Sequence, residues 1–262
     1  MRLVLMYLTL LAPFLAPRAS TVTIVATDYA FQLPDSIPSG VTTFHFKNAG
    51  AEPHELVVVK IAPGHTLADV LQAAQKEGPD PVWLVQMGGP GAVLPGGDAR
   101  VTLRLQPGNY AVLCGVPGKD GVPHLMKGMM RTLTVTPGTS TAREPTSDVT
   151  ITMVDFDFTL SKPLTAGPHT IRVVNAGSQD HMLQLVRMTP GATLDDLLAA
   201  MRDHRQPPIA WTTGASAMGK GGVVYVDATL APGSYGLLCF LDDDTDGKPH
   251  FAHGMRKEFT VQ

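Results

Sequence analysis

The sequence repeats itself, and this repeat constrains the fold more than any other feature. Short patterns in the first half return in the same order in the second half, 125 to 127 positions later: Asp28–Phe31 with Asp155–Phe158, Asn48–Gly50 with Asn175–Gly177, His54 with His181, Pro107–Tyr110 with Pro232–Tyr235, and Cys114 with Cys239. Duplication of a whole domain produces such a nearly constant displacement. The sequence therefore predicts two domains of one fold, at residues 20–136 and 148–262, joined by a polar, Pro-containing linker at 137–147.

Each repeat has the pattern of a β-sandwich. Segments such as VTTFHFKN and HTIRVVN are rich in β-branched residues and are bounded by Pro-Gly, Ser-Gly or Ala-Gly turns. One short helix is expected in each copy, because Thr66 and Thr193 can act as N-caps, with Asp69 and Asp196 three positions later. Many short strands with one inserted helix predict an all-β chain of two tandem Greek-key sandwiches.

Residues 1–19 are typical of a secretory signal peptide. Arg2 gives a positive start, an apolar run follows, and Ala19 is a suitable cleavage position. A membrane anchor is the alternative, but the apolar run is short for a bilayer span. We expect an exported mature protein, periplasmic or secreted, without a transmembrane segment. The formal net charge of −3 and the lack of a basic cluster exclude a nucleic-acid partner from the expected functions.

Each repeat also carries one Cys, two His and one Met at matching positions. The Cys follows a P-G-x-Y strand, one His follows Asn-Ala-Gly, and the second His and the Met occur in PHLMKGM at 123–129 and PHFAHGM at 249–255. A thiolate, two imidazoles and a weak thioether are the donors of a blue-copper centre. Soft sulfur favours Cu(I) and imidazole tolerates both oxidation states. A rigid site with a geometry between those preferred by Cu(I) and Cu(II) therefore lets an electron move with little rearrangement.

Taken together and in order, these patterns resemble the cupredoxin family, most closely its plastocyanin-like type. The resemblance implies a cupredoxin β-sandwich in each repeat, with the downstream ligands on one loop at the end of the barrel. It also implies up to two copper ions cycling between Cu(I) and Cu(II), with these ligands: His54, Cys114, His124 and axial Met129 in the first site, and His181, Cys239, His250 and axial Met255 in the second. The implied function is one-electron transfer with a redox partner protein that the sequence does not identify. His124 and His250 would be the exit routes.

The sequence departs from simple plastocyanins at both predicted sites. Nine residues separate the Cys from the second His in the first repeat and ten in the second, whereas simple plastocyanins have a tighter loop. Glu55 and Met182 follow the first His, where many family members have a small polar residue. Such a change next to a ligand is expected to alter the redox potential. The inserted helix and the segment containing Trp83 or Trp211 are also additions to a minimal cupredoxin.

Other functions are compatible with parts of this pattern. Cys114 and Cys239 could form a disulfide in an exported protein. A two-domain copper oxidase or nitrite reductase would need a second, His-rich copper centre. Leu113 and Leu238 precede the cysteines where such an enzyme typically has His, and the sequence contains no H-x-H pair. Copper sequestration or delivery, or a metal-free binding module of the same fold, are the remaining alternatives.

Several potential ligands lie outside the repeated patterns. We expect the unmatched histidines to be surface or core residues: His45, His65, His169, His204 and His253. Met126 and Met130 are expected to pack. Asp242, Asp244, Asp246 and Gly247 match the start of an EF-hand loop, but the last position would be His253 and no helices are expected to flank it. This segment is predicted to be a solvated acidic turn that helps to orient a basic redox partner.

Overall fold

The computed structural model describes residues 19–76, 78–203 and 205–262. Residues 1–18 of the predicted signal peptide lie outside the described residues, and so does His204. Within the described ranges, no helix combines the length and the apolar character that crossing a membrane requires.

The first repeat consists of short strands and one helix. They are β1 (Ser20–Thr27), β2 (Ala30–Gln32), β3 (Ser36–Pro38), β4 (Gly40–Asn48), β5 (Val57–Ile61), α1 (Leu67–Ala73), β6 (Leu84–Gly88), β7 (Asp98–Leu105), β8 (Gly108–Leu113) and β9 (Met130–Thr136). A 3₁₀ turn at His124–Lys127 precedes β9.

The second repeat follows the same order. Its elements are β10 (Val149–Val154), β11 (Asp157–Leu160), β12 (Gly167–Asn175), β13 (His181–Met188), α2 (Leu194–Arg202), β14 (Ile209–Met218), β15 (Val223–Leu230), β16 (Gly233–Leu238) and β17 (Arg256–Val261). A 3₁₀ turn at His250–His253 again precedes the last strand. The predicted all-β chain of two tandem sandwiches is confirmed.

The two repeats are joined through their sheets. One sheet has the order β11-β10-β12-β15-β7-β4-β1-β2, and the other has the order β17-β16-β13-β14-β6-β5-β8-β9-β3. Strands of the two repeats pair where β15 meets β7 and where β14 meets β6. In both places, an edge strand of one repeat pairs with an edge strand of the other, and backbone groups that would otherwise be exposed and unpaired form hydrogen bonds. The sequence did not predict this edge-to-edge pairing.

Most of the strand pairs are antiparallel, but β1–β4, β10–β12 and β3–β9 are parallel. In the first repeat, the chain leaves β1 through β2, crosses to the other sheet as β3, and returns to pair β4 beside β1. A crossover of this kind returns the chain in its original direction, which makes the pair parallel.

Both predicted helices are present, and they cover the outer face of the second sheet. Thr66 and Asp69 form the expected capping box, and Thr193 and Asp196 repeat it. In β5, Val57, Val59 and Ile61 pack against the α1 side, while Val58 on the opposite face joins the sandwich core. This alternation follows from the two-residue period of a strand.

Polar side chains also join the repeats. Buried Gln184 donates to the Ala92 carbonyl at 3.0 Å and accepts from the Ala92 N–H at 3.0 Å. Glu144, within the predicted linker, accepts from Arg104 at 3.1 Å and from the Tyr225 hydroxyl at 3.1 Å. The linker is therefore bound to both repeats.

Candidate metal centres

The first centre brings together three residues that are distant in the sequence. His54 lies just before β5, Cys114 directly follows β8, and His124 begins the 3₁₀ turn. The two Nδ1 atoms are 3.0 Å apart, and Cys114 Sγ lies 3.8 Å from His54 Nδ1 and 3.5 Å from His124 Nδ1. All three residues have an exposed fraction of 0%.

The second centre repeats this geometry. His181 begins β13, Cys239 directly follows β16, and His250 begins the second 3₁₀ turn. His181 Nδ1 and His250 Nδ1 are 3.0 Å apart, and Cys239 Sγ lies 3.3 Å from His250 Nδ1. All three residues are fully buried.

The Gly-Met end of each repeated heptapeptide has a structural explanation. Gly128 (φ 94°) and Gly254 (φ 108°) end the 3₁₀ turns in the left-handed conformation that glycine adopts without strain. The chain then turns back, so that Cys114 N–H donates to the Met129 carbonyl at 3.2 Å and Cys239 N–H donates to the Met255 carbonyl at 3.2 Å. Both methionines are fully buried. Their role as axial ligands remains a prediction.

A carboxylate holds the first His of each centre in one orientation. Asp28 Oδ1 is 2.7 Å from His54 Nε2, and Asp155 Oδ1 is 2.6 Å from His181 Nε2. The Nε2–H group donates to the carboxylate, so Nδ1 carries the lone pair that faces the centre. These two aspartates are not among the site residues predicted from the sequence. Their matched positions in the repeat were the signal that could have identified them.

The residues of both centres fit a copper ion. Lone pairs on two Nδ1 atoms that face each other at 3.0 Å repel unless they share a cation. A point equidistant from donors with this spacing lies about 2 Å from each of them, close to the metal–nitrogen and metal–sulfur distances of about 2.0–2.3 Å known for a similar divalent ion. One thiolate and two imidazoles are donors that suit both Cu(I) and Cu(II).

The cysteines are free, and their environment keeps the thiols protonated when no cation is bound. Cys114 and Cys239 are unpaired and buried in separate centres, so the disulfide alternative is wrong. Burial, with a further contribution from Glu55, raises the pKa of Cys114 to about 12, and burial raises the pKa of Cys239 to about 11. A bound metal ion supplies the positive charge that deprotonates a coordinating thiol.

Two glutamates lie beside the first centre in different states. Burial raises the pKa of Glu55 to about 7, although Gly115 N–H donates to its carboxylate. Burial also opposes ionisation of Glu52, but hydrogen bonds from Tyr29, His124 and the Lys119 N–H outweigh it and lower the pKa of Glu52. Glu52 is therefore an anion at neutral pH.

The Asn-Ala-Gly pattern orders the loop that delivers the first His. Asn48 donates to the Glu52 and Val93 carbonyls, each at 2.8 Å, and accepts from Gly50 N–H at 2.9 Å. A Cβ atom on Gly50 would lie 2.3 Å from Asp28 Oδ1 and 2.6 Å from His54 Nε2. Glycine is required because the Asp–His pair occupies this space.

We expect Gly50→Ala to weaken copper binding at the first centre by about 10- to 100-fold, the usual effect of disturbing a partner of a metal ligand. The added methyl group would separate Asp28 from His54. The measurement is a competition titration with a copper chelator. Gly219→Ala is the control, because its Cβ would find its nearest neighbours at an ordinary 3.5 Å. Unchanged copper affinity in Gly50→Ala would show that the Asp–His pair does not support the site.

The second His of each centre, which is the predicted exit route for the electron, does not itself reach the surface. His124 and His250 are fully buried. The Tyr29 ring covers His124 with a centroid distance of 4.8 Å, and the Phe156 ring covers His250 at the same distance. These aromatic residues belong to the start of each repeat, far from the ligand loop in sequence.

The remaining candidates lie outside the two centres. His65 stacks on Trp83 with a centroid distance of 4.1 Å, and His45 pairs with Asp98 at 2.8 Å. The expectation that Met126 packs is wrong, since its exposed fraction is 41%. Asp243, Asp246 and His253 have ligand atoms within 4.8 Å of one another. Because this group excludes Asp242 and Asp244, it does not follow the EF-hand pattern.

Comparison with known proteins gives matches among solved structures. No family model matches the chain, and none of the curated proteins matches it. A dithionite-reduced auracyanin from Roseiflexus castenholzii is 24% identical (TM-score 0.33) and covers 46% of this chain and 99% of its own. Auracyanin A, a blue copper protein from Chloroflexus aurantiacus, is 22% identical (TM-score 0.34), with coverage of 45% and 98%. A copper nitrite reductase from Nitrosomonas europaea is 15% identical (TM-score 0.28) and covers 94% of both chains.

The strand topology identifies the fold of this chain, and the side chains of the two centres identify the kind of site. The chain has the cupredoxin-like fold predicted from its sequence, in two copies. It has two His/Cys/His groups suited to copper.

Proposed function

We propose that this chain is an exported two-domain blue copper protein that transfers single electrons to and from a redox partner protein. Each domain, at residues 20–136 and 148–262, would hold one type 1 copper ion. The proposed ligands are the two His, the Cys and the axial Met of each centre: His54, Cys114, His124 and Met129, and His181, Cys239, His250 and Met255. Export rests on the predicted signal peptide.

The observation that carries this proposal is the complete burial of both sets of donors. His54, Cys114 and His124 have no exposed surface, and their counterparts in the second repeat have none. A substrate molecule could not reach a metal ion held there. Copper would supply a one-electron couple, and the packed side chains would hold the same donors around both oxidation states. Electron transfer through the covering residues needs no open coordination position.

The alternative of a copper oxidase or nitrite reductase lacks its second centre. Within residues 19–76, 78–203 and 205–262, the groups able to hold a metal are the two His/Cys/His sets and the Asp243, Asp246 and His253 set. None of these is the His-rich cluster that such an enzyme needs. This supports an electron carrier.

The loop around the first centre offers a surface for a partner protein. Val122 and Met126, on either side of His124, are each 41% exposed. Lys127 lies over the Tyr29 ring at 4.5 Å from its centroid. Apolar contacts with a polar rim are typical of protein interfaces. A redox partner that docks on this surface would be separated from the metal ion by the Tyr29 and His124 rings.

The test is a Cu(II) titration of the purified full chain, followed by visible absorption. We expect an intense thiolate-to-copper band that saturates near two copper ions per chain. Cys114→Ser and Cys239→Ser should each remove the contribution of one site, and the double variant should be colourless. A colourless wild-type protein at saturating copper would overturn the proposal. Tight binding without a reversible redox wave would instead indicate copper sequestration or delivery.

A further inference from the structure

The two centres differ at the second His. In the first centre, His124 Nε2 lies 3.3 Å from Glu52 Oε2. In the second centre, His250 Nε2 is buried and has no hydrogen-bond partner among the described residues. The repeat places Gln179 at the position of Glu52. The anionic partner of one ligand is therefore replaced by a neutral residue in the other centre.

Neighbouring residues maintain this difference. The Tyr29 hydroxyl donates to Glu52 Oε1 at 3.0 Å, and Lys119 N–H donates to Glu52 Oε2 at 3.1 Å. Both bonds hold the carboxylate against the imidazole. Phe156 replaces Tyr29 in the second repeat and has no hydroxyl group. Gln179 Oε1 instead accepts from the Asp244 N–H at 2.8 Å.

The thiol side of the centres also differs, by a carboxyl group against an apolar side chain. Glu55 Oε1 accepts from Gly115 N–H at 3.0 Å, directly beside Cys114. Met182 occupies the matching position next to Cys239, so the second centre has an apolar side chain there. The Asp28–His54 and Asp155–His181 pairs are common to both centres. The asymmetry therefore lies at the second His and at the Cys, and the first His has the same partner in both centres.

The surroundings of the first centre favour Cu(II), and those of the second centre favour Cu(I). An anion bonded to a ligand imidazole makes it a stronger donor and stabilises the more highly charged Cu(II). The apolar Met182 side chain beside Cys239 disfavours the higher charge and favours Cu(I). Building on the proposed function, we infer that the second centre has the higher reduction potential and is the first to be reduced at equilibrium. An electron that entered at the first centre would therefore pass from Cu(I) there to Cu(II) at the second, oxidising the first site and reducing the second, with no bond or proton transferred.

A hydrogen bond links the two ligand segments across the repeats. Ser216 Oγ donates to the Leu56 carbonyl at 3.0 Å. Leu56 lies two residues after His54, and Ser216 lies two residues before Met218, which pairs with His181 across the strands. The segments that carry the two centres are therefore in direct contact.

The test is an anaerobic potentiometric titration of the copper-loaded full chain. Cys239→Ser isolates the band of the first centre, and Cys114→Ser isolates that of the second. At the potential where half of the second centre is reduced, we expect a ratio of oxidised to reduced copper of ten or more at the first centre. This tenfold ratio corresponds to about 59 mV for one electron. Equal potentials, or reduction of the first centre before the second, would overturn the inference and leave the proposed function intact.

Matched variants identify the residue responsible. Glu52→Gln installs the residue of the second repeat, and it should raise the potential of the first centre without moving that of the second. Gln179→Glu should lower the potential of the second centre only. An unchanged potential in Glu52→Gln would contradict the role assigned to Glu52. Failure of both centres to form a thiolate–copper band would overturn the inference together with the proposed function.

Discussion

Asn48→Ala is expected to lower the free energy of unfolding by about 4 kcal/mol, because it leaves several buried polar groups without partners and each costs about 1–3 kcal/mol. The side chain is 2% exposed and makes three hydrogen bonds, two to carbonyls and one from an N–H group. Two of the three are within the loop that carries His54, and the third is to Val93, which pairs with His54. The measurement is denaturant unfolding of the copper-free protein.

Asn175→Ala provides an independent copy of this experiment. Asn175 donates to the Gln179 carbonyl at 2.8 Å and to the Met218 carbonyl at 2.7 Å, and it accepts from Gly177 N–H at 2.9 Å. We expect Asn175→Ala to lower the free energy of unfolding by a similar amount. The control is Asn109→Ala, since Asn109 is exposed and surface changes of this kind usually stay within about 0.5 kcal/mol. A loss below about 1 kcal/mol in both buried variants would rule out a structural role for this asparagine.

Glu55→Gln is expected to stabilise the copper-free protein by about 3 kcal/mol above pH 7. Burial raises the pKa of Glu55 from 4.5 to about 7. Between these values the unfolded chain has released the proton while the folded protein retains it. In the wild type, rising pH therefore stabilises the unfolded state, and stability is lost progressively from about pH 4.5 to pH 7. The glutamine side chain of the variant would not titrate but would keep an oxygen for the Gly115 N–H.

The pH profile is the decisive measurement for Glu55. The unfolding free energies of wild type and Glu55→Gln should coincide below about pH 4.5 and diverge up to about pH 7. Met182→Glu is the mirror experiment, because it places a carboxyl group at the matching buried position of the second repeat. It should introduce a new loss of stability as the pH rises. A difference between wild type and Glu55→Gln that does not change with pH would show that the Glu55 carboxyl group has an ordinary pKa.

Local patterns in the sequence determined much of the fold. The repeat predicted two copies of one sandwich, and the Thr-x-x-Asp sequences at Thr66 and Thr193 predicted both helices with their capping boxes. The order of His, Cys, His and Met predicted two groups of copper donors, and the His/Cys/His members of each group do converge. These features were predictable because caps, turns and strand alternation depend on residues close together in the chain.

The tertiary structure alone decided how the copies meet and what surrounds each centre. The sheets join through β15–β7 and β14–β6, a pairing of edges that leaves no local pattern. Tyr29 and Glu52 contact His124 from segments more than seventy positions away. Whether a carboxylate meets an imidazole depends on where folding brings two distant segments together. The sequence by itself therefore determined which donors each centre contains, while the packing of distant residues decided their burial and their charge environment.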